Sequence, residues 1–440
     1  MAVRWGRARG SGSLASLALM GLLACSRTEG PEVLERDFEE QPSSPEPQPS
    51  PPVEGSDQLQ AFELRGTTEL RLSPEGYFGN SLAVAPDGGF ALTAGLADPE
   101  TVRSFHLGRY TPQGKPVWTR TVTTGAGWYG GQLAITSGGD VLLWAHQQNG
   151  GDLGSSPLRS NHLLVRYAPD GRPLWGQDAM CDAGPLSLDA SGSVTVLEGY
   201  CVHENPPAGV LRYDAEGSLV FRKQAPSLGI VVSGQVTRED GTALAGGSSP
   251  WSDPEGRHAA WRQLGPDGTP RASGGLKGLS GYFEPLLFTR SGDYLALVRV
   301  FGGESTFAGK PVQCVPSTES PCAPLLLHGN VDGREDSVAV LPRGERILWV
   351  SPSAEVVTLS GDEAGTGSIL RRRSATTELL ATHRLHAVGG EGQSGVRVAQ
   401  VAPLPDGALL VLGTVWGEAE LGGTRVTASR GRLFLLRVEL

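Results

Sequence analysis

The stretch SLAVAPDGGFALTAG, residues 81–95, is two runs of small and aliphatic side chains folded about Pro86-Asp87-Gly88. Asp-Gly tolerates the positive φ that a tight hairpin turn requires, so the stretch reads as two antiparallel strands. A variable loop follows, and FHLGRYTPQGKPVWTRTVTT (105–124) repeats the arrangement about Gln113-Gly114. The unit is thus four short strands, joined by two tight turns and one longer loop.

Outward from 81–124, the unit returns at a spacing of about fifty residues. Its first hairpin recurs as GQLAITSGGDVLLWAHQ (131–147), PLSLDASGSVTVLEGY (185–200), SGQVTREDGTALAGG (233–247), EPLLFTRSGDYLALVRV (284–300), RILWVSPSAEVVTLSG (346–361) and VAQVAPLPDGALLVLGT (398–414). Its second hairpin recurs as HLLVRYAPDGRPLWGQDA (162–179), GVLRYDAEGSLVFRKQ (209–224), HAAWRQLGPDGTPRASG (258–274), APLLLHGNVDGREDSVAV (323–340) and GSILRRRSATTELLATHR (367–384). First turns are expected at Gly88, Gly139, Gly192, Gly241, Gly292, Pro352 and Gly407. Second turns are expected at Gly114, Gly171, Gly217, Gly268, Gly333 and Ser374. Four strands per unit is the signature of a propeller blade rather than of a helical solenoid. The fold expected is all-β, a seven-bladed β-propeller. Pro116 and Pro173 open the fourth strand, an outer edge that tolerates a missing N–H. The last unit stops at GRLFLLRVEL (431–440), level with a third strand. AFELRGTTELRLS (61–73) precedes the first unit, where a fourth strand belongs. The ring is therefore expected to be closed by an N-terminal strand completing the last blade, which removes the open edges that invite aggregation.

Composition agrees with strands and turns. Of 440 residues, 62 are Gly and 32 are Pro, and only 19% are charged, so the residues that fill helix surfaces are scarce. An all-helical chain is excluded on that ground. A formal net charge of -10 argues against nucleic acid as a partner, since phosphate neutralisation needs a basic face.

Residues 1–25, MAVRWGRARGSGSLASLALMGLLAC, begin with Arg4, Arg7 and Arg9 and continue in an apolar run from Leu14 to Leu23. That is the layout of a secretory signal, shorter than the ~20 apolar residues of a bilayer span. No later segment has a longer uncharged apolar run, so no transmembrane helix is expected. Residues 25–60 include SRTEGPEVLERDFEEQPSSPEPQPSPPVEGSD, dominated by Pro, Glu and Ser. Such a segment cannot offset its ordering entropy by burial and reads as a disordered tether. The domains expected are a signal peptide (1–24), a tether (25–60) and a propeller (61–440).

Leu22-Leu23-Ala24-Cys25 resembles the lipobox of bacterial lipoproteins. The resemblance implies cleavage before Cys25 and lipidation of that cysteine as the new N-terminus, with palmitate among its acyl chains. Ser26 is not the Asp that retains lipoproteins at the inner membrane of enteric bacteria. The implied location is the cell envelope, lipid-anchored at the outer membrane on its periplasmic or surface side. The hairpins such as AVAPDGGFALTAG, with FGGESTFAGK (301–310) and VWGEAELGGTRVTASRGRLFLLRVE (415–439), resemble the β-propeller repeats of bacterial surface proteins, especially of myxobacterial lipoproteins. That likeness spans about 61–440 and implies fold rather than function. GKPVW (114–118) and GRPLW (171–175) also resemble repeats of quinoprotein-like propellers, including the propeller lipoprotein of outer-membrane protein assembly. Later units lose the Trp, Phe221 standing in once.

With Cys25 lipidated, four cysteines remain. Cys181 and Cys201 flank the first turn of the third unit symmetrically, and Cys314 and Cys322 lie in the long loop of the fifth. Two disulfides are plausible in an oxidising periplasm, and buried free thiols are the alternative. A zinc site is not expected: there is no CxxC and the histidines are scattered.

Other motifs read as structure. Gly125-Ala126-Gly127-Trp128-Tyr129-Gly130 matches GxGxxG but leads into a strand, where a dinucleotide site needs a helix. His383 and His386 lack the Glu and helix of a metalloprotease and read as a solvated strand pair. Asp-Gly pairs suit turns, since no DxDxDG run offers calcium its ligands. Arg109-Tyr110, Arg166-Tyr167 and Arg212-Tyr213 recur at one strand position and suit packing of blade on blade.

One recurrence is a candidate ligand site. Gly76-Tyr77-Phe78, Gly127-Trp128-Tyr129 and Gly281-Tyr282-Phe283 lie about twelve residues before a first turn. Gly229 and Gly395 keep the glycine alone. In propellers this connection lies near the channel mouth, where aromatic faces can stack sugars or grip peptides. The same side chains also suit packing between blades. The function expected is that of a membrane-anchored, non-catalytic binding or scaffold propeller. Its partners would be the membrane, through the lipid, and an envelope protein or polysaccharide; the chain is expected to be monomeric, with no cofactor and no metal. Two alternatives stand beside it. One is an enzyme, a quinoprotein-like oxidoreductase or a hydrolase or lyase, although no catalytic constellation is visible. The other is an envelope protein-assembly factor.

Overall fold

The structure, a computed structural model, describes residues 63–65, 70–75, 77–96, 104–123, 128–147, 162–179, 183–198, 209–250, 257–289, 292–307, 310–314, 322–330, 335–351, 353–361, 367–388 and 394–440. The hairpin of residues 81–95 pairs Tyr77–Val84 with Phe90–Leu96, Val84 lying opposite Phe90. Ser104–Tyr110 and Pro116–Thr123 extend that sheet in sequence order. The second unit orders Trp128–Ile135, Val141–Gln147, His162–Tyr167 and Pro173–Ala179 in the same way. The third uses Ala183–Leu188, Val194–Glu198, Gly209–Tyr213 and Leu219–Gln224. The fourth uses Val231–Thr237, Ala243–Ser248, Ala259–Leu264 and Pro270–Leu276. A single helical turn, Ala225–Leu228, lies between the third and fourth.

The fifth unit has Leu279–Phe288, Tyr294–Phe307, Leu325–Gly329 and Glu335–Val340, with Lys310–Cys314 folded back on the far end of the second strand. The sixth and seventh units share one nine-stranded sheet made of two ladders. One holds Arg346–Val350, Val356–Gly361, Ser368–Arg373 and Leu379–Ala387. The other holds Gly395–Pro403, Leu409–Leu421 and Thr424–Val438. They meet where His386 lies opposite Glu420 and Ala387 opposite Ala419. Leu70–Glu75, from the far end of the chain, pairs antiparallel with Thr424–Val438, placing Leu70 opposite Leu436 and Leu72 opposite Phe434. The fold is all-β, built of β-propeller repeats.

The core lies between units rather than within them. Val141 and Leu143 pack toward the first unit, and their neighbours Leu142 and Trp144 toward the third. Successive strand residues point to opposite faces, and here both faces are covered. That is why the second and third strands read as unbroken apolar runs such as VLLWA instead of alternating. Further apolar clusters join the third unit to the fourth, the fourth to the fifth, the fifth to the sixth and the sixth to the seventh. One more joins Leu82, Phe90 and Leu92 of the first unit to Leu410, Leu412, Leu433 and Leu435 of the seventh.

Turn glycines take the left-handed backbone their positions require, from Gly88 (φ 81°) to Gly407 (φ 89°). The Asp of the Asp-Gly turns accepts the N–H two residues on, as Asp87 does from Gly89 (2.8 Å) and Asp170 from Arg172 (3.0 Å). In the sixth unit the left-handed residues are Ala354 and Thr377 (φ 67° each), whose N–H groups close turns onto Ser351 O and Ser374 O (2.9 Å each).

The Arg-Tyr recurrence is a latch between units. Arg109 donates to Gly139 O (2.7 Å), Arg166 to Gly192 O (3.0 Å) and Arg212 to Gly241 O (3.1 Å), in each case the first-turn glycine of the next unit. Arg166 is also held by Asp140 (2.6 Å) and Arg212 by Asp189, carboxylates of their own unit's first turn. The same register position holds Arg372 and Arg437 in the last two units, next to Arg373 opposite Val356 and Val438 opposite Leu409. Arg372 binds Glu355 (2.6 Å) and the carbonyl of Leu440; Arg437 binds Asp406 (2.8 Å). In the fourth and fifth units Gln263 and His328 stand there. Outer-strand aromatics add a second contact. Trp118, Trp175 and Phe221 lie against Gly171, Gly217 and Gly268, the second-turn glycines of the following units.

Candidate functional site

The fourth strand of the fourth unit ends at Leu276, and Lys277-Gly278 turn the chain into Leu279–Phe288. Tyr282 and Phe283 are consecutive on that strand and therefore face opposite ways. Phe283 is 1% exposed, edge-on to Tyr294 (5.7 Å between ring centroids), inside the cluster shared with Trp261. It is a core residue. Tyr282 is half-buried on the other face. The guanidinium of Arg257, from just before the fourth unit's third strand, lies 4.7 Å from its ring centroid and donates to its hydroxyl. Arg257 also donates to Ser248 Oγ (2.9 Å).

Phe301 completes the group. It stands edge-on to Tyr282 at 5.3 Å and is 50% exposed. Its exposure follows from a bulge: Val300 lies opposite Gly281 and Gly302 opposite Ser280, so Phe301 opposes nothing and turns outward. Beside it, Arg299 donates to Glu284 Oε1 (2.7 Å) on the solvent side. One surface thus presents two aromatic rings, a guanidinium over one of them, and an exposed Arg–Glu pair. A cation over a ring fixes the ring's orientation. Exposed aromatic faces beside charged donors and acceptors suit stacking against a sugar ring while its hydroxyls are hydrogen-bonded.

The other aromatic pairs do not share this register. Tyr77 lies opposite Leu96 and Trp128 opposite Gln147, each six residues after the start of the second strand. In the fifth unit the corresponding residue, Val300, lies opposite Gly281. The aromatic pair is displaced by one position there, because the bulges fall at different places along the first strands. The side chains of Tyr77, Phe78, Trp128 and Tyr129 lie outside the described ones.

Phe301 belongs to no pair of consecutive aromatics in the sequence. Its counterpart is Trp416, 39% exposed, whose ring lies over Gly395. VFGGESTF and VWGEAEL both place a lone aromatic after a valine and before glycine, at the base of a long hairpin. That recurrence is the signal that would have found them.

Cys322 is disulfide-bonded. Cys314 closes the strand Lys310–Cys314, opposite Gly303. Cys25, Cys181 and Cys201 lie outside the described residues. Trp128 to Gly130 of the GxGxxG match lie in a strand. His383 and His386, three apart on a strand, face opposite ways: burial lowers the pKa of His383, while His386 is exposed, 3.5 Å from Glu420. Among the described residues no three of His, Cys, Asp and Glu converge as a metal site, and no helix is long and apolar enough to cross a membrane.

No family model matches the sequence, and no curated protein aligns with it significantly. Solved structures of similar fold include the Dos1 propeller, at 8% identity and a TM-score of 0.46, covering 86% of this chain and 95% of that one. Hydrazine synthase of Kuenenia stuttgartiensis is similar at 10% identity and a TM-score of 0.47, covering 76% of this chain and 92% of that one. The polysaccharide lyase Uly1 is similar at 11% identity and 0.43, covering 88% and 94%.

Proposed function

We propose that this chain is a lipid-anchored, non-catalytic binding or scaffold propeller of the bacterial cell envelope. The observation that carries the binding role is the surface of Tyr282, Arg257 and Phe301, two aromatic rings and a cation held in place, Phe301 exposed and the other two partly so. A polysaccharide is the ligand that suits it, since sugar rings stack on aromatic faces. The domain is a seven-bladed ring, with Leu70–Glu75 as outer strand of the last blade. Support for this comes from the pairing of that strand with Thr424–Val438 and from the apolar cluster joining the first and seventh units. Cys25 carries the lipid, residues 25–60 are the tether, and the location is the outer membrane. Cys314 with Cys322, and Cys181 with Cys201, are the disulfides.

Two measurements test the reading. The wild-type chain partitions into detergent and takes up labelled palmitate, and Cys25→Ser does neither; a soluble, unlabelled wild type would overturn the anchor. Tyr282→Ala and Phe301→Ala weaken retention on immobilised envelope polysaccharide about tenfold or more, as loss of an aromatic anchor does. The melting temperature of Phe301→Ala stays within a few degrees of wild type. Unchanged retention with a lowered melting temperature would reduce the surface to packing.

A further inference from the structure

A second feature lies on the first strands of the sixth and seventh units. Arg346 opens Arg346–Val350, and its Nη2 donates to Val398 O (2.9 Å) on Gly395–Pro403. The residue before Val398 is Arg397. Two exposed arginines therefore stand near each other on neighbouring first strands, Arg346 bound to the carbonyl of the residue after Arg397. Among the described residues neither has a carboxylate within ion-pair reach. Glu345, the adjacent acid, is turned away and buried, where it accepts from Arg373 (2.6 and 2.8 Å) and from Thr358 (2.6 Å). Beside Arg346 the ladder is also broken. Val398 lies opposite Gly413 and Gln400 opposite Leu412, so Ala399 opposes no residue.

Several buried or half-buried arginines of this chain are answered by acid, Arg166 by Asp140, Arg212 by Asp189, Arg372 by Glu355 and Arg373 by Glu345, and others by carbonyls, as Arg120 is by Gly171 O and Arg262 by Leu228 O. In a chain of net charge -10, Arg346 and Arg397 lie near each other with, among the described residues, no carboxylate between them. Desolvation, and after it the repulsion of Arg397, lowers the pKa of Arg346. An anion between them would remove that repulsion. Guanidinium groups hold carboxylates and phosphates through paired N–H donors.

We propose that the first-strand edge between the sixth and seventh units binds an oxyanion, a carboxylate or a phosphate, bridged between Arg346 and Arg397. The site is separate from the Tyr282 surface, two units away, and stands or falls without it.

Titration of the full chain with inorganic phosphate, followed by 31P line width, tests the proposal. The wild type broadens the signal saturably, and added chloride competes. Arg397→Gln, which removes a side chain bound to nothing else, weakens binding about tenfold or more, the loss of one charge-assisted pair. Arg346→Gln does the same, and Arg384→Gln, on an exposed outer strand, leaves binding unchanged. A second arm titrates trigalacturonate. Tighter binding than phosphate, lost in Arg397→Gln, assigns the carboxylate of an acidic polysaccharide; equal or weaker binding assigns a free anion. Absence of saturable binding of either probe, or full binding by Arg397→Gln with an unchanged melting temperature, overturns the site.

Discussion

His106 and Tyr110 sit on one face of Ser104–Tyr110, two turns of the pleat apart, and Nε2 of the first lies 2.7 Å from the hydroxyl of the second. Gly108 between them makes this possible. A Cβ there would lie 2.8 Å from the Tyr110 ring and 2.9 Å from His106 Nε2. Gly108→Ala therefore overpacks the site and should cost about 1–3 kcal/mol, read as a shift in the urea midpoint. Burial also sets the charge of His106: its pKa is lowered from 6.5 to about 3. The unfolded chain takes up a proton near pH 6.5, whereas the folded chain resists until about pH 3. Acid then favours unfolding across that window, by about 2 kcal/mol at pH 5 from this residue alone. His106→Gln should narrow the stability difference between pH 7 and pH 5 by a comparable amount. An identical acid limb in wild type and variant would refute the neutral buried histidine.

Among the elements, the turns and the third strands were the most legible. Asp-Gly and Ser-Gly spacing marked the hairpins because turn chemistry is local. The Arg-Tyr repeat marked the latch in the first three units. Arg372 and Arg437 escaped because no tyrosine follows them, and because position opposite a second strand is a property of pairing, not of spelling. The latch carries unequal weight along the chain. Arg166 is buried and holds a carboxylate and two carbonyls, those of Gly192 and Ala215. Arg166→Leu leaves the Asp140 carboxylate and the Gly192 carbonyl without this donor, while Ala215 O keeps Trp175 Nε1 (3.0 Å), and should cost about 3 kcal/mol or more. Arg299, 59% exposed against Glu284, is screened by water, and Arg299→Ala should cost less than about 1 kcal/mol. Chemical denaturation of both variants tests the contrast; equal losses would mean that the buried latch is not a structural clamp.

At the scale of the whole molecule, the seams are not alike. In the first three units an outer-strand aromatic covers the next unit's turn glycine. In the fourth, Ala272 holds that register, opposite Gln263. Elsewhere along that seam lies a cavity of about 150 Å³, lined by Trp261, Phe283, Tyr294 and Phe307 against Gly274 and Gly275. The N-terminal strand sends Leu70 and Leu72 into the cluster shared by the sixth and seventh units. Leu70 is fully buried and Leu72 nearly so. Leu70→Ala should cost about 3 kcal/mol, the range for a buried leucine that leaves a cavity. Leu379→Ala, on an exposed outer strand, should cost less than about 0.5 kcal/mol. Thermal melts of the two variants decide whether the strand is part of the cooperative unit; equal melting temperatures would detach it.

What the sequence determined by itself was the unit, its turns and the place where a fourth strand was missing. Those depend on residues within a few positions of one another, on φ that glycine permits and on apolar runs that a doubly covered strand demands. The tertiary structure decided which side chains meet across units. Bulges shift the first strands by one residue, and a one-residue shift sends a side chain to the other face. Hence Phe283 went to the core, while Tyr282 kept a surface with Arg257 and Phe301, residues 25 and 19 positions away from it in the chain. Arg346 reached the carbonyl beside Arg397 in the same way, through pairing and packing and not through adjacency in sequence.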